Sequence, residues 1–199
     1  MSLILLCDVD GVLIAKGRFE KALAKDKTIR HGAATDFFRR GLRECQLGKA
    51  DLKETLGTQL PAWGWRRSVD DFLQYWFETD SELNEPLRMR LRSYRRLGVP
   101  CYLATMQERY RMAYIMDVLG LGADVVGAFP TWRIGHGKDS PIYYRSLLHQ
   151  LPITDPRQAL FFDDQQPNVA AARNAGLTAE LFTTVDQFDE VVALHMRRW

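Results

Sequence analysis

A chain of 199 residues with 46% hydrophobic content can bury one substantial core and carry an insertion, but it is short for two independent domains. Its 27 basic and 25 acidic side chains leave a formal charge of only +2, which argues against the broad positive footprint of a nucleic-acid binder and points to small-molecule partners. The cysteines, Cys7, Cys45 and Cys101, are odd in number and lack metal-ligand spacing, so neither a disulfide framework nor a structural zinc site is expected, and a reducing, cytoplasmic setting fits. No apolar stretch is long enough to span a membrane, since Asp8 and Asp10 interrupt the opening run.

The first predicted element is a strand. Leu3-Ile4-Leu5-Leu6-Cys7 is continuously apolar, as in parallel strands covered by helices on both faces, and it stops at Asp8-Val9-Asp10-Gly11. From about Lys16 to Glu85 no strand pattern occurs and helical segments dominate. Ser68 and Asp71 predict a capping box ahead of Phe72, Leu73, Tyr75 and Trp76, and Pro61-Ala62-Trp63-Gly64-Trp65 is expected to be an irregular loop. Asn84 then caps a helix with Leu87, Leu91 and Tyr94 on one face; Arg88, Arg92, Arg95 and Arg96 are expected on its solvent side.

After Gly98 strand and helix alternate. Strands are predicted at Val99 to Ala104, Val125 to Phe129, Ala159 to Phe162 and Ala179 to Phe182. Helices are predicted at Tyr110 to Leu119, at Ile142 to Leu151, and from Gln166-Pro167-Asn168 to Gly176. The alternation predicts an α/β fold, a three-layer doubly wound parallel sheet with a helical insert after its first strand.

Two carboxylates spaced two apart, Asp8 and Asp10, end a buried strand at the edge where open α/β sheets bind ligands, and a cation would offset their cost there. Gly11 permits the tight turn, so Asp8 and the carbonyl or side chain of Asp10 can converge on one hard ion. Asp163-Asp164 ends a second apolar run, and an oxygen-only set favours magnesium over zinc. Asp164 could equally cap the helix that follows, as Thr105 could at the end of its own strand; alternatively, Thr105 and the following amides could hold a phosphate oxygen. Lys138, in Gly135-His136-Gly137-Lys138-Asp139 before a helix, is either solvated or placed to neutralise a phosphoryl group.

Taken in order, Asp8-Val9-Asp10-Gly11-Val12, the strand ending at Thr105, Lys138 before a helix, and Phe161-Phe162-Asp163-Asp164 with Asn168 resemble the four motifs of the haloacid dehalogenase-like superfamily. Ala104-Thr105-Met106-Gln107-Glu108-Arg109-Tyr110 further resembles its small-capped, dehalogenase-type branch. The resemblance implies a catalytic core over residues 1–15 and 86–199 and a helical cap over residues 16–85 that selects the substrate. It implies Asp8 as nucleophile, Asp10 as general acid and then base, and Thr105, Met106 and Lys138 as phosphoryl contacts, with Lys138 also fixing Asp8. The implied magnesium site draws on Asp8, Asp10 and Asp164, with Asp163 as a second or outer ligand.

Asparagine often follows the hydroxyl residue of the second motif, and Met106 stands there instead, so only the backbone amide can serve. The implied activity is magnesium-dependent hydrolysis of a small phosphorylated metabolite, with no nucleic-acid or membrane partner. A haloacid dehalogenase, a phosphosugar mutase and a non-catalytic binding module remain as alternatives. Asp10 favours phosphate chemistry, because dehalogenation needs no acid to protonate an alkoxide. The sequence leaves oligomeric state and substrate open, and Trp63, Trp65, Phe72, Tyr75 and Trp76 serve either as the core of the cap or as a stacking surface.

Overall fold

The computed structural model describes residues 3–26 and 29–197. Its centre is a five-stranded sheet of β1 (Ile4–Cys7), β2 (Cys101–Thr105), β3 (Gly127–Pro130), β4 (Ala159–Asp163) and β5 (Thr178–Leu181). Every pairing is parallel and the order is β3-β2-β1-β4-β5. The chain winds outward from β1 through β2 to β3, then crosses back to β4 on the other side of β1. That reversal creates a crevice at the carboxyl ends of β1 and β4.

Alternation along the strands builds the two buried layers. Leu5, Cys7, Leu103, Leu160 and Phe162 join one cluster; Ile4, Leu6, Ala104, Ala159 and Phe161 join the other. Leu87 and Leu91 of α6 (Glu85–Arg96) and Phe188 and Val192 of α11 (Val185–Met196) cover the first face. Tyr143, Tyr144 and Leu147 of α9 (Pro141–Leu148) and Val169 and Ala172 of α10 (Gln166–Asn174) cover the second. Three layers result because strands apolar on both sides must be shielded on both sides.

Between β1 and α6 the described residues form helices α1 (Arg18–Lys25), α2 (His31–Asp36), α3 (Leu42–Gln46), α4 (Leu52–Trp63) and α5 (Val69–Thr79), with the π-helical turn Phe37–Gly41 joining α2 to α3. They surround a third apolar cluster that includes Phe19, Phe37, Leu56, Trp63, Phe72 and Trp76. The Ser68–Asp71 capping box forms as expected at the start of α5.

Several expectations change. Pro61, Ala62 and Trp63 belong to α4, which ends at Gly64 with φ of 91°. Pro61 forgoes one backbone bond in the last turn, and the burial of Leu60 and Trp63 around it outweighs that loss. The helix expected from Tyr110 to Leu119 starts as α7 (Arg109–Ala113) and widens into a π-helical turn at Tyr114–Val118. Strand limits shift by a residue or two, as at β2, because pairing with β1 rather than apolar content decides where a strand runs.

The arginine face of α6 is not simply solvated. Arg88 and Arg92 bond the buried carboxylate of Asp124, each at 2.5 Å, and Arg95 donates to Ala123 O at 2.7 Å. Among the described residues no helix is long and apolar enough to cross a membrane.

Candidate active site

β1 leaves the sheet through a tight turn. Asp8 N–H still donates to Phe162 O at 2.9 Å, and Val9 O accepts from the amides of Val12, Leu13 and Ile14. Gly11 sits in this turn with φ of 89°, and a side chain there would collide with the Asp164 carboxylate. Strand pairing thus sets Asp8 beside Asp163-Asp164, and the glycine lets the two strand ends close up.

Lys138 binds this crevice together from the loop before α9. Its Nζ lies 2.5 Å from Asp8 Oδ1 and 2.7 Å from Asp163 Oδ2, with Lys138 and Asp163 at 2% and 0% side-chain exposure. Asp163 Oδ1 accepts from Gln165 N–H at 2.8 Å and from Asn168 Nδ2 at 3.0 Å. Asp8 Oδ1 also accepts from Val9 N–H at 2.7 Å, so both of these donors to Asp8 fall on one oxygen.

Burial pushes Asp8 up to about 7; Lys138 draws it down, and Asp163 raises it again. For Lys138 itself burial opposes the charge, but the attraction of Asp8 and Asp163 outweighs this and leaves the ammonium raised. The lysine is therefore a fixed cation, and the carboxylates still outnumber it.

Oxygens of Asp8, Asp163 and Asp164 lie within 4.8 Å of one another, a grouping that can hold a metal ion. Asp164 Oδ1 is buried and has no hydrogen-bond partner among the described residues. Its other oxygen accepts from Gln165 Nε2 at 3.0 Å and pairs with Lys16. Three carboxylates with one oxygen orphaned fit a hard divalent cation such as magnesium. Thr105 Oγ1, at the end of β2, is likewise buried without a partner and suits an incoming anionic oxygen.

Asp10 occupies a different side of the turn. Gln107 Nε2 donates to its Oδ2 at 2.6 Å. Burial raises its pKa, while Arg111 and the Gln107 bond pull it down. Asp10, Gln107 and Arg111 line a cavity of about 390 Å³ that extends under the helices of the segment between β1 and β2.

Asp8, Lys138, Asp163 and Asp164 are thus gathered in one crevice, whereas the Asp10 carboxylate engages Gln107 and is not among the three clustered carboxylates. Met106 contributes its carbonyl to Gln46 Nε2 at 3.1 Å. Neither capping alternative holds: Gln165 is the N-cap residue of α10, Glu108 caps α7, and Lys138 is buried rather than solvated. Sequence reasoning passed over Gln107, Arg111 and Lys16. Gln107 precedes the N-cap of α7 and Arg111 lies within that helix, so no helical spacing links them, and their partners lie far away along the chain.

A model of the haloacid dehalogenase-like hydrolase family matches residues 4–176. No curated protein matches the sequence. Solved structures share the fold at low identity. A HAD family enzyme of Bacteroides thetaiotaomicron, in complex with magnesium and inorganic phosphate, is 15% identical with a TM-score of 0.81, over 96% of this chain and 99% of that one. A predicted HAD-like family hydrolase of Porphyromonas gingivalis is 16% identical with a TM-score of 0.81, over 96% and 98%. A HAD-superfamily hydrolase of Ehrlichia chaffeensis is 13% identical with a TM-score of 0.60, over 98% of each chain.

Proposed function

The chain belongs to the haloacid dehalogenase-like hydrolase family, and on that premise we propose that it is a magnesium-dependent phosphohydrolase of small phosphorylated metabolites. The observation that carries this reading is Lys138 Nζ clasping Asp8 and Asp163 at 2.5 and 2.7 Å, beside an Asp164 oxygen with no partner among the described residues. A magnesium and phosphate complex of a structural relative supports it.

Asp8 is the nucleophile. With Lys138 and Val9 N–H on Oδ1, Oδ2 is left as the attacking atom. It bonds to phosphorus as the bond from phosphorus to the ester oxygen breaks, and Asp10 gives its proton to the departing oxygen. Asp10 then takes a proton from water as the water oxygen attacks the aspartyl-phosphate, which releases phosphate and frees Asp8. Gln107 holds the Asp10 carboxylate in place through both steps, and burial favours the protonated form needed for the first.

Asp8 and Asp164 would hold magnesium directly, with the Asp10 carbonyl as a further donor and Asp163 behind them orienting Lys138. When bound, the ion supplies charge neutralisation between the carboxylate and the phosphoryl oxygens. Lys138 provides a second positive charge, while Thr105 Oγ1 and the Met106 amide receive the remaining oxygens. Asp10, half-buried and bonded by Gln107, favours phosphoryl transfer over dehalogenation, in which no alkoxide leaves. Residues 16–85 act as the cap, residues 1–15 and 86–199 as the catalytic core.

Phosphate release from a panel of phosphomonoesters, with magnesium and then with excess chelator, tests the reading. Activity should vanish with the chelator and in Asp8→Asn. Turnover that survives Asp8→Asn would remove Asp8 as the nucleophile.

A further inference from the structure

We infer that the leaving group of the substrate is an apolar alcohol on the scale of one or two rings, not a polyol such as a sugar. This rests on the phosphohydrolase reading, which puts the leaving oxygen at Asp10, and it concerns the cavity that begins there. At about 390 Å³ the space lies toward the small end of the ~300–1,000 Å³ typical of ligand sites. Its apolar wall is Phe19, Leu23, Phe38, Leu42 and Trp76, all from the segment between β1 and β2. Phe38 and Trp76 meet edge-on at 4.9 Å between centroids, so the wall is a packed surface.

Most of the polar groups around this space have partners within the protein. Gln107 Nε2 is given to Asp10, and Gln46 Nε2 to Met106 O at 3.1 Å. Arg111 donates to Phe77 O at 2.9 Å and also to Asp80 O. Glu108 accepts from Tyr110 N–H at 2.7 Å, and Asp80 Oδ1 accepts from Phe19 N–H at 2.8 Å. Lys16 pairs with Asp164 unless a metal ion takes that carboxylate, and Lys16, Glu20 and Arg39 are exposed to solvent.

A site that reads hydroxyls needs convergent donors and acceptors held ready for them, and here the donors of Gln46, Gln107 and Arg111 are already engaged. A polyol would have to break these bonds or turn its hydroxyls to the exposed side chains, leaving the rest against aromatic and aliphatic walls. An apolar alcohol leaves every one of these bonds intact and fills the space.

The test compares phosphate esters of primary alcohols, so that leaving-group basicity stays similar: phenylethyl and cyclohexylmethyl phosphate against glycerol phosphate and a hexose phosphate, on the intact protein with magnesium. The apolar esters should show kcat/KM at least ~10-fold higher, the scale on which an apolar pocket discriminates. Phe38→Gln should raise KM for phenylethyl phosphate and erase its advantage over glycerol phosphate, with Phe38→Leu retaining the preference. Binding of free phenylethanol and of glycerol, followed by tryptophan fluorescence, separates the two readings.

Equal or better turnover of the polyol esters would overturn the substrate class and leave the hydrolase reading standing. Binding of phenylethanol, weakened in Phe38→Gln, with no ester hydrolysed would do the reverse. Absence of both binding and hydrolysis would overturn both.

Discussion

Gln107 Nε2 lies 2.6 Å from Asp10 Oδ2, so the carboxylate assigned as proton donor is held by a side chain that joins neither the metal cluster nor the phosphoryl contacts. The bond crosses from the start of α7 to the turn after β1, and it fixes where the acid points. Gln107→Leu should therefore lower kcat by ~10- to 100-fold with KM little changed, a fraction of the ~10²–10⁴ that general acid catalysis supplies. Steady-state kinetics on one phosphomonoester checks it. A pure KM effect would show that Gln107 serves substrate binding instead.

Lys138 neutralises two buried carboxylates, and its replacement by methionine removes the charge while keeping most of the volume. Loss of one partner from a buried ion pair costs about 3–5 kcal/mol, because the other charges stay behind without compensation. Urea unfolding of Lys138→Met should show a loss of that order. A change under about 1 kcal/mol would mean that Asp8 and Asp163 find other partners, such as water or a proton.

Gly11 takes φ of 89° where a methyl group would meet the Asp164 carboxylate. Gly11→Ala combines a backbone penalty of about 1–2 kcal/mol with displacement of a proposed metal ligand. Both the unfolding midpoint and magnesium affinity should fall. An alanine variant with native magnesium affinity would separate the turn from the metal site.

Lys16 pairs with Asp164 and is about half exposed, so its ammonium competes with a metal ion for the same carboxylate. Isothermal titration should find tighter magnesium binding in Lys16→Gln and weaker binding in Asp164→Asn. Thermal melts should agree, since a ligand that binds only the folded state raises stability in step with its affinity. Weaker binding in Lys16→Gln would instead place the lysine among groups that support the ion.

Cys7, Cys45 and Cys101 are buried, and burial raises all three thiols, Cys101 to about 12. Thiolate is the reactive form, so alkylation at mildly alkaline pH should label the native protein slowly and the unfolded protein at three sites. Rapid labelling of native Cys101 would contradict its place on β2.

The sequence by itself determined the alternation of strand and helix, the acidic strand ends at Asp8 and Asp163, and the helix caps at Ser68 and Asn84, because these follow from residues near one another in the chain. It misjudged Pro61 to Trp63 as a loop, since local turn signals carry no record of the burial that kept them helical. It placed the arginines of α6 in solvent, since Asp124 reaches them only after the chain has passed through β2. The tertiary structure alone decided that Lys138 reaches Asp163 as well as Asp8, that Gln107 holds Asp10, and that a cavity with an apolar wall opens at that acid. Each is a meeting of side chains far apart in sequence, and only the strand order that sets β1 between β2 and β4 brings them within reach.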